Sequence, residues 1–138
     1  MKGIVLAAGR GTRLYPMTKP VCKPLLPVYD KPLIYYPIAT LLQAGIRDIL
    51  VIIPPGEERE FSNLLGDGSE LGIHIEFAVQ KVARGIADAL VIGQDFIGDD
   101  SVCLVLGDNI FHCHNLDEIM KEAIKDDHGA NVFGYYLD

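Results

Sequence analysis

Cysteine is scarce and patternless in this chain. Cys22, Cys103 and Cys113 are odd in number and form no C-x-x-C pair, which excludes a disulfide framework and a zinc ribbon. Long apolar runs are also missing: no uninterrupted stretch approaches the ~18 residues of a membrane-spanning helix, so no membrane partner is expected. The start, Met1-Lys2-Gly3, enters a strand-like pattern without a signal-type apolar segment or a small-residue cleavage site, and a cytoplasmic protein is expected. Basic residues are in deficit, 12 against 19 acidic ones, for a formal net charge of −7. Most of such a surface repels a polyanion, so no nucleic acid partner is expected. Two common phosphate-binding signatures are absent as well. The fingerprint G-x-G-x-x-G would need glycine where Leu14 stands, and a Walker A loop would need a G-K-[ST] sequence that the chain lacks.

What is present is an alternation of strand and helix patterns. With 138 residues, 49% hydrophobic and 22% charged, the composition suits one globular domain with a single core. Residues 3–8 and 49–53 are continuous apolar runs of the kind buried on both faces of a parallel sheet. Between them, Leu33, Ile34, Pro37, Ile38, Leu41 and Leu42 recur at helical spacing from Pro32 to Gly45. That spacing predicts a crossover helix which Pro37 should bend or delay. A short amphipathic helix over 57–65 closes at Gly66-Asp67-Gly68, and residues 73–77 alternate as a third strand with Ile73, Ile75 and Phe77 on one face. The pattern then predicts a helix over 85–92, a buried strand over 102–106 and a helix over 116–124, with Ile119, Met120, Ala123 and Ile124 inward and Asp127-His128-Gly129 as its end. A fifth strand is predicted over 130–136. No internal repeat, linker or low-complexity tract interrupts the series. The expected fold is α/β: one three-layer α/β/α, Rossmann-like domain over 1–138 with a mostly parallel sheet.

The first strand runs into Leu6-Ala7-Ala8-Gly9-Arg10-Gly11-Thr12-Arg13-Leu14. Glycine has no Cβ, so a backbone with Gly9 and Gly11 can approach a ligand closely and aim several N–H groups at one anion, while Arg13 offers a planar fork for phosphate oxygens. An ordinary strand-to-loop turn would read the same way. Charge placement favours the anion site. Lys2, Arg10, Arg13, Lys19, Lys23 and Lys31 stand against the single acid Asp30 in residues 1–31, a net of +5, whereas the remaining 107 residues hold 6 basic and 18 acidic side chains, a net of −12. A solvated basic face is the duller alternative. Lys23 lies in a segment punctuated by Pro24 and Pro27, a rigid, non-helical presentation suited to a fixed phosphate donor.

Asp108 follows the strand over 102–106. A carboxylate at the carboxyl end of a buried parallel strand, on the same sheet edge as the glycine loop, is where such sheets bind ligands. It is suited to holding Mg2+ against phosphates, and it is equally suited to a turn or cap with Asn109. His112-Cys113-His114 invites a metal reading, but adjacent residues do not readily converge on one ion, and a loop after a strand explains them as well. His74 falls on the polar face of its strand without a partner acid, and reads as a surface residue.

These residues carry a family resemblance. The stretch from Gly3 to Pro20, Gly-Ile-Val-Leu-Ala-Ala-Gly-Arg-Gly-Thr-Arg-Leu-Tyr-Pro-Met-Thr-Lys-Pro, and then Lys23-Pro-Leu-Leu-Pro-Val-Tyr-Asp-Lys-Pro-Leu-Ile-Tyr-Tyr-Pro, resembles the N-terminal signature of the sugar-1-phosphate nucleotidyltransferases. Ordered matches continue at Leu65-Gly-Asp-Gly-Ser-Glu-Leu-Gly-Ile, Gly85-Ile-Ala-Asp-Ala, Leu106-Gly-Asp-Asn-Ile-Phe and Val132-Phe-Gly-Tyr. Within the family the chain is most similar to the glucose-1-phosphate thymidylyltransferases.

The resemblance implies a nucleotidyltransferase domain that joins dTTP or UTP to a sugar 1-phosphate, glucose 1-phosphate by likeness, with release of pyrophosphate. Carried over position by position, it implies nucleotide contacts at Ala8, Gly9, Gly11, Thr12 and Arg13, with the glycine amides cradling the triphosphate and Arg13 on the leaving pyrophosphate. Lys23 would bridge the α-phosphate and the incoming sugar phosphate, Gln80 and Gly85 would recognise the base, and Asp108 would be the first magnesium carboxylate. The base is left between thymine and uracil. Ala8-Gly9 and Pro24 stand where thymidylyltransferases usually carry Gly-Gly and glutamine, and Arg84 replaces an acid that commonly precedes Gly85. The likeness reaches only the N-terminal half of the family pattern, so the sugar-binding half is expected to be lacking, and the partner is expected to be a homo-oligomeric copy or a complementing C-terminal half. A catalytically incomplete nucleotide-binding module or fragment is the alternative.

Overall fold

The computed structural model describes residues 1–125 and 129–134. Four strands, β1 (Lys2–Leu6), β4 (Asp48–Ile53), β5 (His74–Val79) and β6 (Val102–Leu106), form one sheet in the order β5-β4-β1-β6. Every neighbouring pair in it is parallel. The apolar runs explain this. Ile4 and Val5 of β1 and Ile49, Val51, Ile52 and Ile53 of β4 are fully buried, as strands covered on both faces must be.

Side-chain alternation divides the core into two layers. Val5, Ile49, Val51 and Ile53 meet Ile34, Ile38 and Leu41 around α1 (Tyr35–Gln43), Phe61 and Leu65 of α2 (Glu58–Leu65) and Met120 of α5 (Leu116–Lys125). Ile4, Leu50 and Ile52 point the other way, onto Ala89 and Ile92 of α3 (Asp88–Ile92) and Phe96 and Ile97 of α4 (Gln94–Ile97). Helix, sheet and helix are thus stacked as three layers, as the strand and helix periodicities predict.

The α1 crossover ends on a glycine-dependent cap. Gly45 takes φ 83°, its amide donates to Leu42 O and the following Ile46 amide donates to Leu41 O at 3.0 Å each. This is a Schellman closure, and Ile46, at 3% exposure, is the apolar residue that seats it.

Several boundaries differ from the sequence reading. The helix starts at Tyr35 rather than at Pro32, which sits in a hairpin of β2 (Pro27–Val28) and β3 (Lys31–Pro32). Pro37 is therefore in the first turn, where its missing N–H breaks no helical bond. The Lys23–Leu25 segment is a single 3-10 turn rather than a non-helical stretch. Helix α3 begins only at Asp88, because Gly85 adopts φ 95° in the preceding loop. Ile119 is outward at 43% exposure while Met120 points in. Residues 130–134 of the expected fifth strand are not in a strand; the rest of that segment and the helix end at 127–128 lie outside the described residues. His74 is on the surface as expected, beside Asp48 and Glu76. Among the described residues, no helix is long and apolar enough to cross a membrane.

Phe61 is the largest fully buried side chain, the anchor of α2 on the sheet. Phe61→Ala is expected to lower unfolding free energy by about 3–5 kcal/mol, read as a fall in the urea midpoint at unchanged slope. A loss below about 1 kcal/mol would contradict its place in the core.

Candidate active site

The parallel sheet releases all its loops at one edge, and the candidate residues collect there. After β1, the Ala7 amide still donates to Ile52 O at 2.7 Å. Among the described residues, the amides of Ala8, Gly9, Arg10 and Gly11 then have no backbone acceptor. Gly9 and Arg10 are exposed and Ala8 and Gly11 half-buried, so these four N–H groups are open to water or to a ligand. The loop is held open by its own contacts. Gly11 has φ 61°, and a Cβ added there would lie 2.9 Å from both Lys23 Cβ and Thr18 Cγ2. Buried Thr18 donates from Oγ1 to Gly11 O at 2.6 Å. Gly9 is different: an added Cβ would stand in open space, so nothing in the protein itself demands a glycine at that position. A ligand packed against the backbone would.

Thr12 and Arg13 lie in a 3-10 turn over Thr12–Leu14 whose residues are all exposed. Arg13 makes no ion pair with the described residues, leaving its guanidinium available. Lys23 comes from the next 3-10 turn and reaches across to Asp108, with Nζ 2.7 Å from Oδ2. That contact joins residues 85 positions apart. It exists because β6 emerges beside β1, where Gly107 donates its amide to Leu6 O at 2.8 Å. A Cβ on Gly107 would sit 2.9 Å from the Cα and Cβ of Ala7.

The base-recognition candidates sit at the other end of the sheet edge. Gln80 follows β5, is 7% exposed, and is fixed through its own amide to Ile53 O at 3.0 Å. Its side-chain Nε2 donates to Asp88 Oδ2 at 2.8 Å. Gly85 lies in the exposed loop between them.

Behind the glycine loop is a cavity of about 210 Å³ lined by Arg10, Tyr15, Thr18, Cys22, Pro54, Pro55 and Glu57. Burial, and next the Glu57 carboxylate, push the Cys22 thiol up to about 12. Burial and the charges of Glu60 and Glu58 likewise raise Glu57 above the usual carboxylate range. His112, Cys113 and His114 line a separate open cavity of about 420 Å³ with Gln43, Phe111, Leu116 and Asp117. Among the described residues, no three His, Cys, Asp or Glu side chains form a metal-holding group. Sequence reasoning missed Thr18, Gly107 and Asp88. All three lie inside the quoted family matches, and Gly107 carries a further signal as a glycine at the end of a buried strand.

Parallel strands that bring a run of free amides, a cation and a carboxylate to one carboxyl edge form the arrangement at which open α/β sheets bind ligands. The chain belongs to the Nucleotidyl transferase family, whose pattern it matches over residues 2–137. It is 58% identical over 137 residues to the glucose-1-phosphate thymidylyltransferase of Neisseria meningitidis, covering 99% of this chain and 48% of that protein. A solved glucose-1-phosphate thymidylyltransferase from Bacillus anthracis, in complex with a sucrose, is similar with a TM-score of 0.87 and 41% identity over 94% of this chain and 52% of its own. A UDP-glucose pyrophosphorylase complexed with UDP-glucose is similar with a TM-score of 0.75 at 25% identity, over 90% and 53% of the two chains. The chain thus spans about half the length of the relatives it matches.

Two outcomes follow from this geometry. Gly107→Ala forces a methyl into the Ala7 backbone and is expected to destabilise the fold by about 1–3 kcal/mol, measured by chemical denaturation. Alkylation with iodoacetamide near pH ~8 is expected to modify exposed Cys113 and to spare Cys22, whose thiol stays protonated and buried. Peptide mass spectrometry reads the difference, and equal labelling of the two in the folded chain would contradict it.

Proposed function

We propose that this chain carries the nucleoside triphosphate half-site of a sugar-1-phosphate nucleotidyltransferase, an enzyme that joins dTTP or UTP to glucose 1-phosphate and releases pyrophosphate. One observation carries the reading: the strand order β5-β4-β1-β6. It sets Gln80 at one end of an open edge, the amide-lined loop in the middle and the Lys23–Asp108 pair at the other end. Three strand spacings separate β5 from β6, roughly 14 Å, a span that suits one extended nucleotide with its base on Gln80 and its phosphates on the loop. The names of the relatives support the same chemistry.

In such a reaction the sugar phosphate oxygen attacks the α-phosphorus in line. The protein then has to orient phosphates and neutralise charge, and needs no covalent nucleophile. The Ala8–Gly11 amides bind the triphosphate and Thr12 lies at their end. Arg13 holds the departing pyrophosphate. Lys23 bridges the α-phosphate and the entering phosphate, where negative charge accumulates. Its pair with Asp108 is one-third exposed on each side, so it contributes only about 0–1 kcal/mol, and a phosphate can draw the ammonium away at little cost.

Asp108 fits Mg2+ only in company. Its carboxylate is exposed, Oδ2 faces an ammonium, and among the described residues it belongs to no group of three or more His, Cys, Asp or Glu side chains. That donor set matches an ion shared with substrate phosphates and water, not an all-protein cage. When bound, magnesium would neutralise phosphate charge.

Residues 1–138 are read as one nucleotide-binding unit, matching about half of its relatives, with the sugar site supplied by a further polypeptide segment or by a homo-oligomeric copy. Its setting is the cytoplasm, where thiols such as the three free cysteines stay reduced. A nucleotide-binding module without turnover is the second reading.

Calorimetric titration of the 138-residue chain with dTTP and UTP plus magnesium tests the site. Lys23→Ala is expected to weaken binding about 10–100-fold, as loss of a charged hydrogen bond should. Asp108→Ala is expected to remove the magnesium dependence. Binding without pyrophosphate release from added glucose 1-phosphate supports a half-site, release shows a sufficient catalyst, and no binding by the folded wild-type chain refutes the reading.

A further inference from the structure

The Gln80 side chain has two ends of similar shape and opposite chemistry: Oε1 accepts hydrogen bonds and Nε2 donates them. Asp88 decides which end is which. Nε2 lies 2.8 Å from Asp88 Oδ2, and an ionised carboxylate can only accept. Turning the amide over would set two oxygens against each other beside a side chain only 7% exposed, where an unpaired polar group is expensive. Neither partner is free to drift. Gln80 is tied through its amide to Ile53 O, and Asp88 precedes Ala89, which is fully buried against Ile4, Leu50 and Ile52. Gly93, one turn further, packs so closely on Ile4 that a Cβ there would come within 2.9 Å of it.

The other end of the amide is left open. Among the described residues no donor reaches Oε1, and no buried side-chain oxygen or nitrogen is without a partner. Oε1 therefore keeps some solvent contact, on a residue that directly follows the carboxyl end of β5.

We infer that Asp88 is a positioning residue for base selection: by engaging Nε2 it presents Gln80 Oε1 to the ligand as an acceptor. This rests on Gln80 being the base-recognition residue of the proposed function. An acceptor at that point pairs with a base whose ring nitrogen carries hydrogen, as in uracil, thymine or guanine. It opposes cytosine and adenine, whose corresponding ring nitrogen is itself an acceptor. The triphosphate contacts are unaffected by this choice, because they are made by the loop after β1.

The experiment compares UTP, CTP and inorganic tripolyphosphate, each with magnesium, by calorimetry on the full chain and its Asp88→Asn, Asp88→Glu and Gln80→Ala variants, each checked for folding by its melting transition. The wild-type chain is expected to favour UTP over CTP by about tenfold or more, the scale of one hydrogen bond against one clash. Asp88→Asn can pair with either end of Gln80, and is expected to shrink that ratio severalfold while leaving tripolyphosphate binding unchanged. Asp88→Glu keeps an acceptor-only group and is expected to retain most of the preference; Gln80→Ala should abolish it. An unchanged ratio in Asp88→Asn overturns the inference, as does an equal loss for all three ligands, which marks a purely structural role. If Asp88→Asn does not fold, Asp88→Glu and Gln80→Ala decide: a lost preference in the first or a kept one in the second overturns it. Equal wild-type affinity for UTP and CTP also overturns it while the phosphate site stands. Failure to bind any of the three removes the nucleotide reading as well.

Discussion

Strand β1 has no free edge and no free face, and the rest of the molecule is arranged by that constraint. It pairs in parallel with β4 on one side and β6 on the other, while Val5 and Ile4 are fully buried against opposite helical layers. A strand in that position must be apolar through its buried centre, Gly3 to Val5 here, and must deliver its following loop at the same edge as its neighbours. The ladder persists for one further residue on each side, through Ala7 to Ile52 and Gly107 to Leu6. Beyond that point the chain turns away, and the Ala8–Gly11 amides are left without main-chain acceptors among the described residues. The anion site of the proposed function would therefore be a by-product of ending a doubly buried strand in a glycine loop, not an addition to it.

The charge distribution works in the same direction. Half of the basic residues lie in the first 31 positions of a chain whose net charge is −7. An anionic ligand is repelled by most of the surface and attracted at the loop, which concentrates it where the amides point. Within the site the attraction is graded by solvent exposure. Lys23 and Asp108 are close yet one-third exposed, so their mutual attraction holds the lysine in place without committing it. Arg13, on an exposed turn without an ion pair among the described residues, is free outright. The part-buried contact of Gln80 with Asp88 involves a side chain only 7% exposed, so its disruption leaves a poorly hydrated group unsatisfied. Rigidity at the amide end and looseness at the phosphate end suit a site that must discriminate at one end and exchange partners at the other.

The sheet and its two apolar layers were legible because continuous apolar runs and period-2 alternation report burial directly, as in residues 49–53. Boundaries were less so. Pro32 looks like a helix start, yet the backbone uses it to close a hairpin whose turn passes through Tyr29 at φ 62°. A tyrosine in the left-handed region leaves no glycine or asparagine signal to read. Ile119 and Met120 are neighbours at nearly equal hydrophobicity, and only the packing of α5 on the sheet decides that Met120 faces in. The site residues named by resemblance, Gly11, Lys23, Gln80 and Asp108, collect at the one edge the parallel topology predicts. The contacts that hold them, Thr18 to Gly11 O and Asp88 to Gln80, were not legible, because a hydroxyl or carboxylate that supports a neighbouring backbone or amide has no periodicity.

A single exposed carboxylate beside an ammonium has little hold on a strongly hydrated divalent ion. In the proposed function, then, triphosphate and magnesium must complete each other's coordination, and each raises the affinity of the other by the same factor. The chain's own contribution is geometric. Gly107 brings Asp108 against the loop after β1 by allowing backbones to meet at distances no other residue permits, and Gly11 leaves room for the Lys23 side chain, whose Cβ would lie 2.9 Å from an added Cβ. Two glycines that look like loop filler in the sequence thus set the separation between the Ala8–Gly11 loop, Lys23 and Asp108, the groups that the proposed function assigns to the phosphates. That separation, more than the charge of any one residue, determines whether a triphosphate finds all three at once.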